Sequence, residues 1–346
     1  MSKKISIAID AMGGDNAPDK IIKGVKIFIN KYKSNNDFII NLFGKENLIK
    51  NKLEKYNIQQ NNIIIINSDN VVSNDESAMT AVKKSKNTSM WNCIKHQADK
   101  KSDISLSAGN TGVLLIISKM ILKMLDQVSK PALAGLWPNQ KGMNVVLDLG
   151  ANNECNEKNL VDFAELGAAL HKSLFKDEKQ KVSLLNIGSE EMKGTETLKS
   201  ASKILQKISS EENFIYNGYI EGNNIMSGDT NIIITDGFTG NVALKTAEGT
   251  AKFITKNLKK SLTENIFSRI SLIFSFFSLK KFKDRLDPRK YNGAIFLGLN
   301  GPVVKSHGGT DSIGFYHSIE LCYKIVKGDL MSQIKKNLNH LKIENK

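Results

Sequence analysis

Short apolar runs along this chain end in turns crowded with Gly, Asn and Asp, and each turn opens a stretch of helical periodicity. The unit is written at least five times: Ile5 to Asp19, Ile104 to Gly112, Asn144 to Glu154, Val182 to Gly194 and Asn231 to Asn241. Phe38 to Tyr56, Asn62 to Asn70 and Gly293 to Gly309 add further strand candidates, so about eight strands are expected. Their near-continuous Ile, Val and Leu content suits strands covered on both faces by helices. Alternating strands and helices predict a parallel α/β fold, in which loops at the carboxyl ends of the strands line the ligand crevice. The five turns are therefore expected to converge on one polar site. With five prolines and no Gly/Ser-rich linker, residues 1–346 are read as one compact unit.

Residues 257–287 break this scheme. Ile266, Ile270, Ile273 and Phe277 share one helical face, Ser268, Ser271, Ser275 and Ser278 share the other, and Lys280, Lys281, Lys283 and Arg285 follow. An apolar face beside a cationic flank suits an amphipathic helix lying in a membrane interface, with Ile270, Ile273, Phe274 and Phe277 meeting lipid. The same pattern suits burial in a homodimer or against the core. Leu272, Phe276 and Leu279 widen the apolar surface beyond one stripe, so two apolar neighbours are expected.

A net charge of +14 favours an acidic partner: nucleic acid, an anionic membrane, a phosphate-bearing substrate or an acidic protein. Nucleic acid ranks low, because the lysines are scattered and no aromatic-studded basic strand pair accompanies them. Cys93, Cys155 and Cys322 lie far apart with no metal-binding spacing, which points to a reducing cytoplasm and no structural metal. The first strand pattern follows Met1 so closely that no secretory signal is expected, and no run of 18 apolar residues predicts a membrane span.

The turns carry the candidate chemistry. Gly13, Gly14 and Asp15 form either a polar cradle or a tight strand-to-helix turn. Asn110, Thr111 and Gly112 stand at an expected helix N-terminus, where backbone N–H groups attract phosphate. Lys193 lies in a polar loop, either as a solvated side chain or as a substrate contact. Asp236, Thr239 and Asn241 either cap the next helix or, through the Asn241 amide, donate to a developing oxyanion. Lys305, His307 and Asp311 form a cluster able to hold an anion or move a proton, or His307 is simply structural. The chain has no GxxxxGK[ST] loop, no strand-linked GxGxxG, no GxSxG and no HExxH, so ATP, dinucleotide, serine-esterase and zinc-protease chemistry lack their usual supports.

In order and spacing, AMGGDNAPD, SAGNTG, LDLGAN, NIGSEEMKG, TDGFTGNVALKT and LNGPVVKSHG resemble the bacterial phosphate acyltransferase (PlsX) family from about Ile5 to about Val326. The resemblance implies a three-layer α/β/α sandwich similar to phosphotransacetylase and isocitrate-dehydrogenase folds, with a projecting helical hairpin at about 250–287. It implies transfer of a long-chain fatty acyl group from acyl carrier protein to inorganic phosphate, giving acyl phosphate for phospholipid synthesis. No cofactor is expected. The implied partners are the carrier protein, a second copy of the chain, the membrane surface and a downstream membrane glycerol-3-phosphate acyltransferase. The implied active-site pair is Lys193 and Asn241, with Gly13, Gly14, Asp15, Asn110, Thr111, Gly112, Asn152, Asp236, Thr239 and His307 lining the substrate crevice. Lys83, Lys86 and Ile313 stand where relatives often have Arg. The competing readings are a coenzyme A-dependent phosphotransacylase, a non-catalytic membrane scaffold for the carrier protein, and a metal- and NAD-dependent decarboxylating dehydrogenase of similar fold.

Overall fold

The computed structural model describes residues 3–72, 78–210 and 213–344. Through the first half run β1 (Ile5–Asp10), α1 (Asp19–Lys31), β2 (Phe38–Gly44), α2 (Glu46–Lys55), β3 (Ile63–Asn67), α3 (Ala78–Lys83), α4 (Ser89–Ala98), β4 (Ile104–Ser107), α5 (Thr111–Leu122), β5 (Ala132–Pro138), β6 (Met143–Leu147) and α6 (Glu157–Leu174). The second half adds β7 (Lys181–Asn186), α7 (Glu196–Ile208), β8 (Ile215–Glu221), β9 (Ile232–Ile234), α8 (Gly237–Thr263), α9 (Ile266–Arg285), β10 (Ala294–Leu297), β11 (Val303–Lys305), α10 (Ser312–Lys327) and α11 (Leu330–Glu344). All eleven strands join one sheet in the order β3-β2-β1-β4-β11-β10-β5-β6-β9-β7-β8.

Successive strand residues point to opposite faces, and the two faces carry separate cores. Val145, Leu147, Ile232, Ile234, Ile295 and Leu297 pack on one side with α6, α10 and α11. Val146, Ile233, Phe296 and Val303 pack on the other with residues of α4, α5 and α8. Both faces are thus covered by helices, which is why the strands read as continuous apolar runs.

Among the described residues eleven strands replace the expected eight or so. β5 follows Pro131, ends on Pro138 and is built largely of Ala, Gly and Leu. β8 is interrupted by Asn217 and Gly218. Both segments carry the residues that argue against a strand. The Gly293 to Gly309 run is an antiparallel pair, β10 with β11, rather than one strand.

Strand direction is the feature that positions the site. β5 is antiparallel to β6 and β10, and β10 is antiparallel to β11. The remaining pairings are parallel, so β6, β9, β7 and β8 run opposite to β3, β2, β1, β4 and β11. The five turns therefore form two groups, not one row along a single edge. An ordinary sheet twist of about 20–25° per strand, taken over the five steps from β4 to β9, turns the second group through roughly 100–125° relative to the first.

α8 is unbroken from the end of β9 and, at 27 residues, is about 40 Å long. Ala243, Leu244 and Ala247 lean on the core, whereas Phe253, Ile254 and Leu258 are exposed and Gly249 has no neighbour within 4 Å of a built Cβ. After Glu264 and Asn265 the chain turns into α9, which packs on α8. The helix that starts at Gly237, inside the site, thus leaves the core near Gly249 and continues outward. Phe274 and Phe277 are 85% and 82% exposed, and Phe276, on the opposite side of α9, is also exposed. Apolar surface thus wraps the helix, beyond a single amphipathic stripe. The side chains of Ile270 and Ile273 lie outside the described residues.

Candidate active site

The first group of loops follows β1, β4 and β11. Gly14 has φ +78°, and a Cβ there would lie 2.9 Å from the Ala108 carbonyl oxygen and 3.0 Å from that of Gly308. Only glycine lets the three backbones approach this closely. The Asp15 N–H donates to the Gly308 oxygen (3.0 Å), and the Ser306 N–H donates to the Ser107 oxygen (2.9 Å). Behind them Asp10 is buried, accepting from the Ser107 hydroxyl (2.7 Å) and the Met12 N–H (3.2 Å). Burial pushes its carboxyl up in pKa, against those hydrogen bonds. A Cβ on Gly13 would meet Asp10 Oδ2 at 2.7 Å, so Gly13 is there to admit that carboxylate. Asn110 caps α5 by accepting from the Val113 N–H (3.1 Å), leaving Thr111 and Gly112 in the first turn, where N–H groups have no intrahelical partner.

His307 is exposed above this floor, its backbone N–H donating to Asn292 Oδ1 (3.1 Å) and its Nδ1 accepting from the Gly309 N–H (3.2 Å). Burial, Lys305, Lys245 and Lys20 all press its imidazole toward the neutral form, with Glu248 opposing. Lys245 and Glu248 belong to α8, so the helix leaving the second group of loops reaches the first. Asp311, grouped with His307 by sequence, caps α10 through the Ile313 and Gly314 N–H groups and pairs with Arg289 at 2.9 Å.

The second group follows β6, β9 and β7. Asp148 is fully buried and accepts from the N–H groups of Leu133 (3.0 Å), Ala151 (3.0 Å) and Asn152 (2.8 Å) and from the Asn152 amide (2.8 Å). Burial raises its pKa despite these bonds. The Asn152 amide also donates to the Pro131 oxygen (2.7 Å), so this side chain fixes the loop. The Asn152 carbonyl in turn accepts from the Gly237 N–H (2.8 Å), tying the loop to the start of α8. Asp236 caps that helix, accepting from the Thr239 N–H (2.7 Å) and hydroxyl (2.9 Å). Of the two sequence readings for Asp236 and Thr239, capping is the one their side chains perform.

Asn241 lies one turn further. Gly150, whose φ of +122° favours glycine, lies beside it: a Cβ there would make ordinary contact, 3.6 Å, with Asn241 Cβ and Cγ. The Asn241 side chain is exposed, with no hydrogen-bond partner among the described residues, so its amide donors are free for a ligand. Lys193 stands on the loop after β7, the strand beside β9. Asn186 folds that loop back, donating to the Lys193 carbonyl (3.2 Å), and the half-exposed Lys193 ammonium is 3.9 Å from Glu190. Cys155 lies in the field of Asp148 and Asp236, and burial with the Asp148 charge pushes its thiol up to about 11, so it stays protonated. No group of three or more metal-ligating side chains occurs among the described residues.

Sequence reasoning missed Lys20 and Asp148. Asp148 had a signal, a carboxylate closing an apolar run before a glycine. Lys20, in the first turn of α1, had none, because the loop that buries it lies about 288 residues away.

A family model described as fatty acid synthesis protein matches residues 5–333. The chain is 53% identical to the phosphate acyltransferase of Pelagibacter ubique (98% of this chain, 100% of the relative) and 39% identical to that of Caulobacter vibrioides (99% and 93%). In fold it is similar to EutD phosphotransacetylase from Staphylococcus aureus, with TM-score 0.62, 15% identity and 94% of each chain covered. It is also similar to 4-hydroxythreonine-4-phosphate dehydrogenase from Klebsiella pneumoniae, with TM-score 0.53, 11% identity, and 94% and 99% covered. The chain belongs to the fatty acid synthesis protein family, in which the sequence relatives named here are phosphate acyltransferases.

Proposed function

We propose that this protein transfers a long-chain fatty acyl group from acyl carrier protein to inorganic phosphate. A phosphate oxygen attacks the thioester carbonyl, the C–S bond breaks, the thiolate leaves and takes its proton from solvent, and acyl phosphate remains. The single observation that carries the reading is the unpartnered Asn241 amide, carried on the first turns of α8 beside Gly150. A donor fixed on rigid backbone and aimed at a developing oxyanion is the usual device for acyl transfer. Lys193 supplies a positive charge on the neighbouring loop, for the oxyanion or the phosphate. Phosphate is itself a nucleophile, and a protonated Cys155 supports direct transfer without an acyl-enzyme.

In this reading Gly13, Gly14, Asp15, Asn110, Thr111, Gly112, Asn152, Asp236, Thr239 and His307 frame the crevice. The lysine excess meets the acidic carrier protein, α8 and α9 pair with a second copy, and Phe274 and Phe277 beside Lys280, Lys281, Lys283 and Arg285 touch an anionic membrane. No helix among the described residues is long and apolar enough to cross one. Product would then be released beside the membrane acyltransferase that consumes it.

Purified protein incubated with long-chain acyl–acyl carrier protein and phosphate should yield a hydroxylamine-trapped acyl phosphate only when phosphate is present. Product from acyl-CoA alone, in a parallel reaction, would transfer the assignment to a coenzyme A-dependent phosphotransacylase. Absence of product from both would leave the scaffold reading.

A further inference from the structure

Two lysines converge on the loop after β11 from inside the fold. Lys20 is 5% exposed and Lys305 9%. The Lys20 ammonium donates to the Gly308 carbonyl, and that of Lys305 donates to the carbonyls of Ser306 and Ala108 (3.4 Å to the latter). An ammonium carries three N–H donors, so two of Lys20 and one of Lys305 have no partner among the described residues. All the acceptors are neutral. The acidic group in the field of Lys20 is Asp15, which is exposed and lies outside ion-pair distance.

Burying one ammonium without a counter-charge is costly, and burying two that repel each other is costlier. The consequence is visible in the groups themselves. Burial and the Lys20 charge hold Lys305 down at about 8, burial lowers Lys20, and His307 is lowered by both lysines as well as by burial. A fold built only for stability would place a carboxylate or an apolar residue here. Instead the pair sits against the Ala108 and Gly308 carbonyls, at the close approach of the Gly14 backbone that a side chain at position 14 would disrupt, and Ala108 stands two residues before the cap of α5.

We propose that Lys20 and Lys305 form the binding pocket for the inorganic phosphate substrate. A phosphate dianion accepts the three unspent N–H donors, cancels the repulsion and lies next to the first turn of α5. The proposal rests on phosphate being the acyl acceptor, and it leaves Lys193 with Asn241 at the thioester carbonyl. The same oxyanion chemistry occurs in the phosphodiester of the carrier protein's prosthetic group, so the two sources must be separated.

The test uses the full chain and the variants Lys20→Met and Lys305→Met, which keep length and lose charge. Thermal unfolding is followed with and without inorganic phosphate, and KM is measured separately for phosphate and for acyl carrier protein. The wild-type midpoint should rise with phosphate, and each variant should lose that rise and bind phosphate about 10- to 100-fold more weakly, the equivalent of a charged hydrogen bond. KM for the acyl donor should stay within about twofold, a pattern that marks lost binding of one substrate only. Without phosphate the variants should be as stable as wild type or more so, because an uncompensated charge has been removed. Variants that fold and keep the wild-type phosphate response would overturn the proposal, as would a raised KM for the acyl donor with phosphate binding intact. A lowered midpoint of both variants without phosphate would also overturn it, by making the lysines structural. A wild type that binds phosphate through these lysines but yields no acyl phosphate would sink the transfer reaction and leave the pocket standing.

Discussion

The region around the loops after β1, β4 and β11 and the region around those after β6, β7 and β9 both present lysine and asparagine, yet they hold them differently. In the first group Lys20 and Lys305 are buried and fixed to backbone carbonyls, and Asn110 is spent on a helix cap. In the second group Lys193 is half exposed with Glu190 as its loose partner, and the Asn241 amide has no partner among the described residues. A rigid pocket suits a small ligand that is always the same ion. An open surface suits a reacting carbonyl delivered at the end of a large carrier. In the proposed reaction the two regions would divide the work between the two substrates, with α8 carrying Lys245 and Glu248 from the second region into the field of His307 in the first.

The sharpest way to break this division is Asn241→Ala. Loss of an oxyanion donor should lower kcat by about 10²–10³ while KM for phosphate stays within about twofold. A variant with near-normal turnover, or one whose phosphate KM rises instead, would show that the regions do not divide the work. The next effect is in pH. Lys305 loses its charge as pH rises through about 8, in the company of Lys20 on α1, the Asp15 and His307 loops, and Lys245 and Glu248 on α8. KM for phosphate should rise above that point by up to about tenfold per pH unit, with KM for the acyl donor flat, and Lys305→Met should lose the dependence.

The same group gives a stability test. Its folded value of about 8 lies below its ordinary 10.5, so between these the unfolded chain binds more protons. Stability of the phosphate-free protein should therefore rise with pH across that window, by at most about 3 kcal/mol, as urea unfolding would read. Salt separates the regions more gently. Raising ionic strength should increase KM for the acyl carrier protein several-fold by screening surface lysines, while the buried lysine pair is screened less, so phosphate KM should change by less than about twofold. Smallest is Glu190→Gln, which frees Lys193 from an exposed pair and should alter kcat/KM by less than about threefold.

Much of this was legible in the chain. β1, β4, β6, β7 and β9 were readable because each is a largely apolar run, broken at most by a Ser or Asn, that leads into a turn of Gly, Asn or Asp, and the six motifs in order were enough to name the family. β5 and β8 were not, because prolines and a glycine stand where strand formers were sought. The reversal of strand direction between β11 and β6 was invisible too, since a strand pattern reads the same in either sense. It follows that the convergence expected of all five turns became two groups joined by a helix. Asp236 and Asn110 could be recognised at helix starts but not told apart from ligands until their acceptor bonds were seen, and Asp311, read only as part of a cluster with His307, proved to be a cap as well. Lys20 looked like any lysine in a first turn, and its burial depends on a loop at the far end of the sequence.

α8 places a mechanical question inside the site. It is one rod from Asn241 past the exposed Phe253 to Thr263, so a push at the far end would arrive at the amide as a tilt. Eight residues past Asn241, where the helix leaves the core, stands Gly249, with no side chain and no neighbour within 4 Å of where one would begin. A helix interior is weakest at glycine, so bending of the hairpin concentrates there. The arm can sway against whatever surface it meets while the donor keeps its aim.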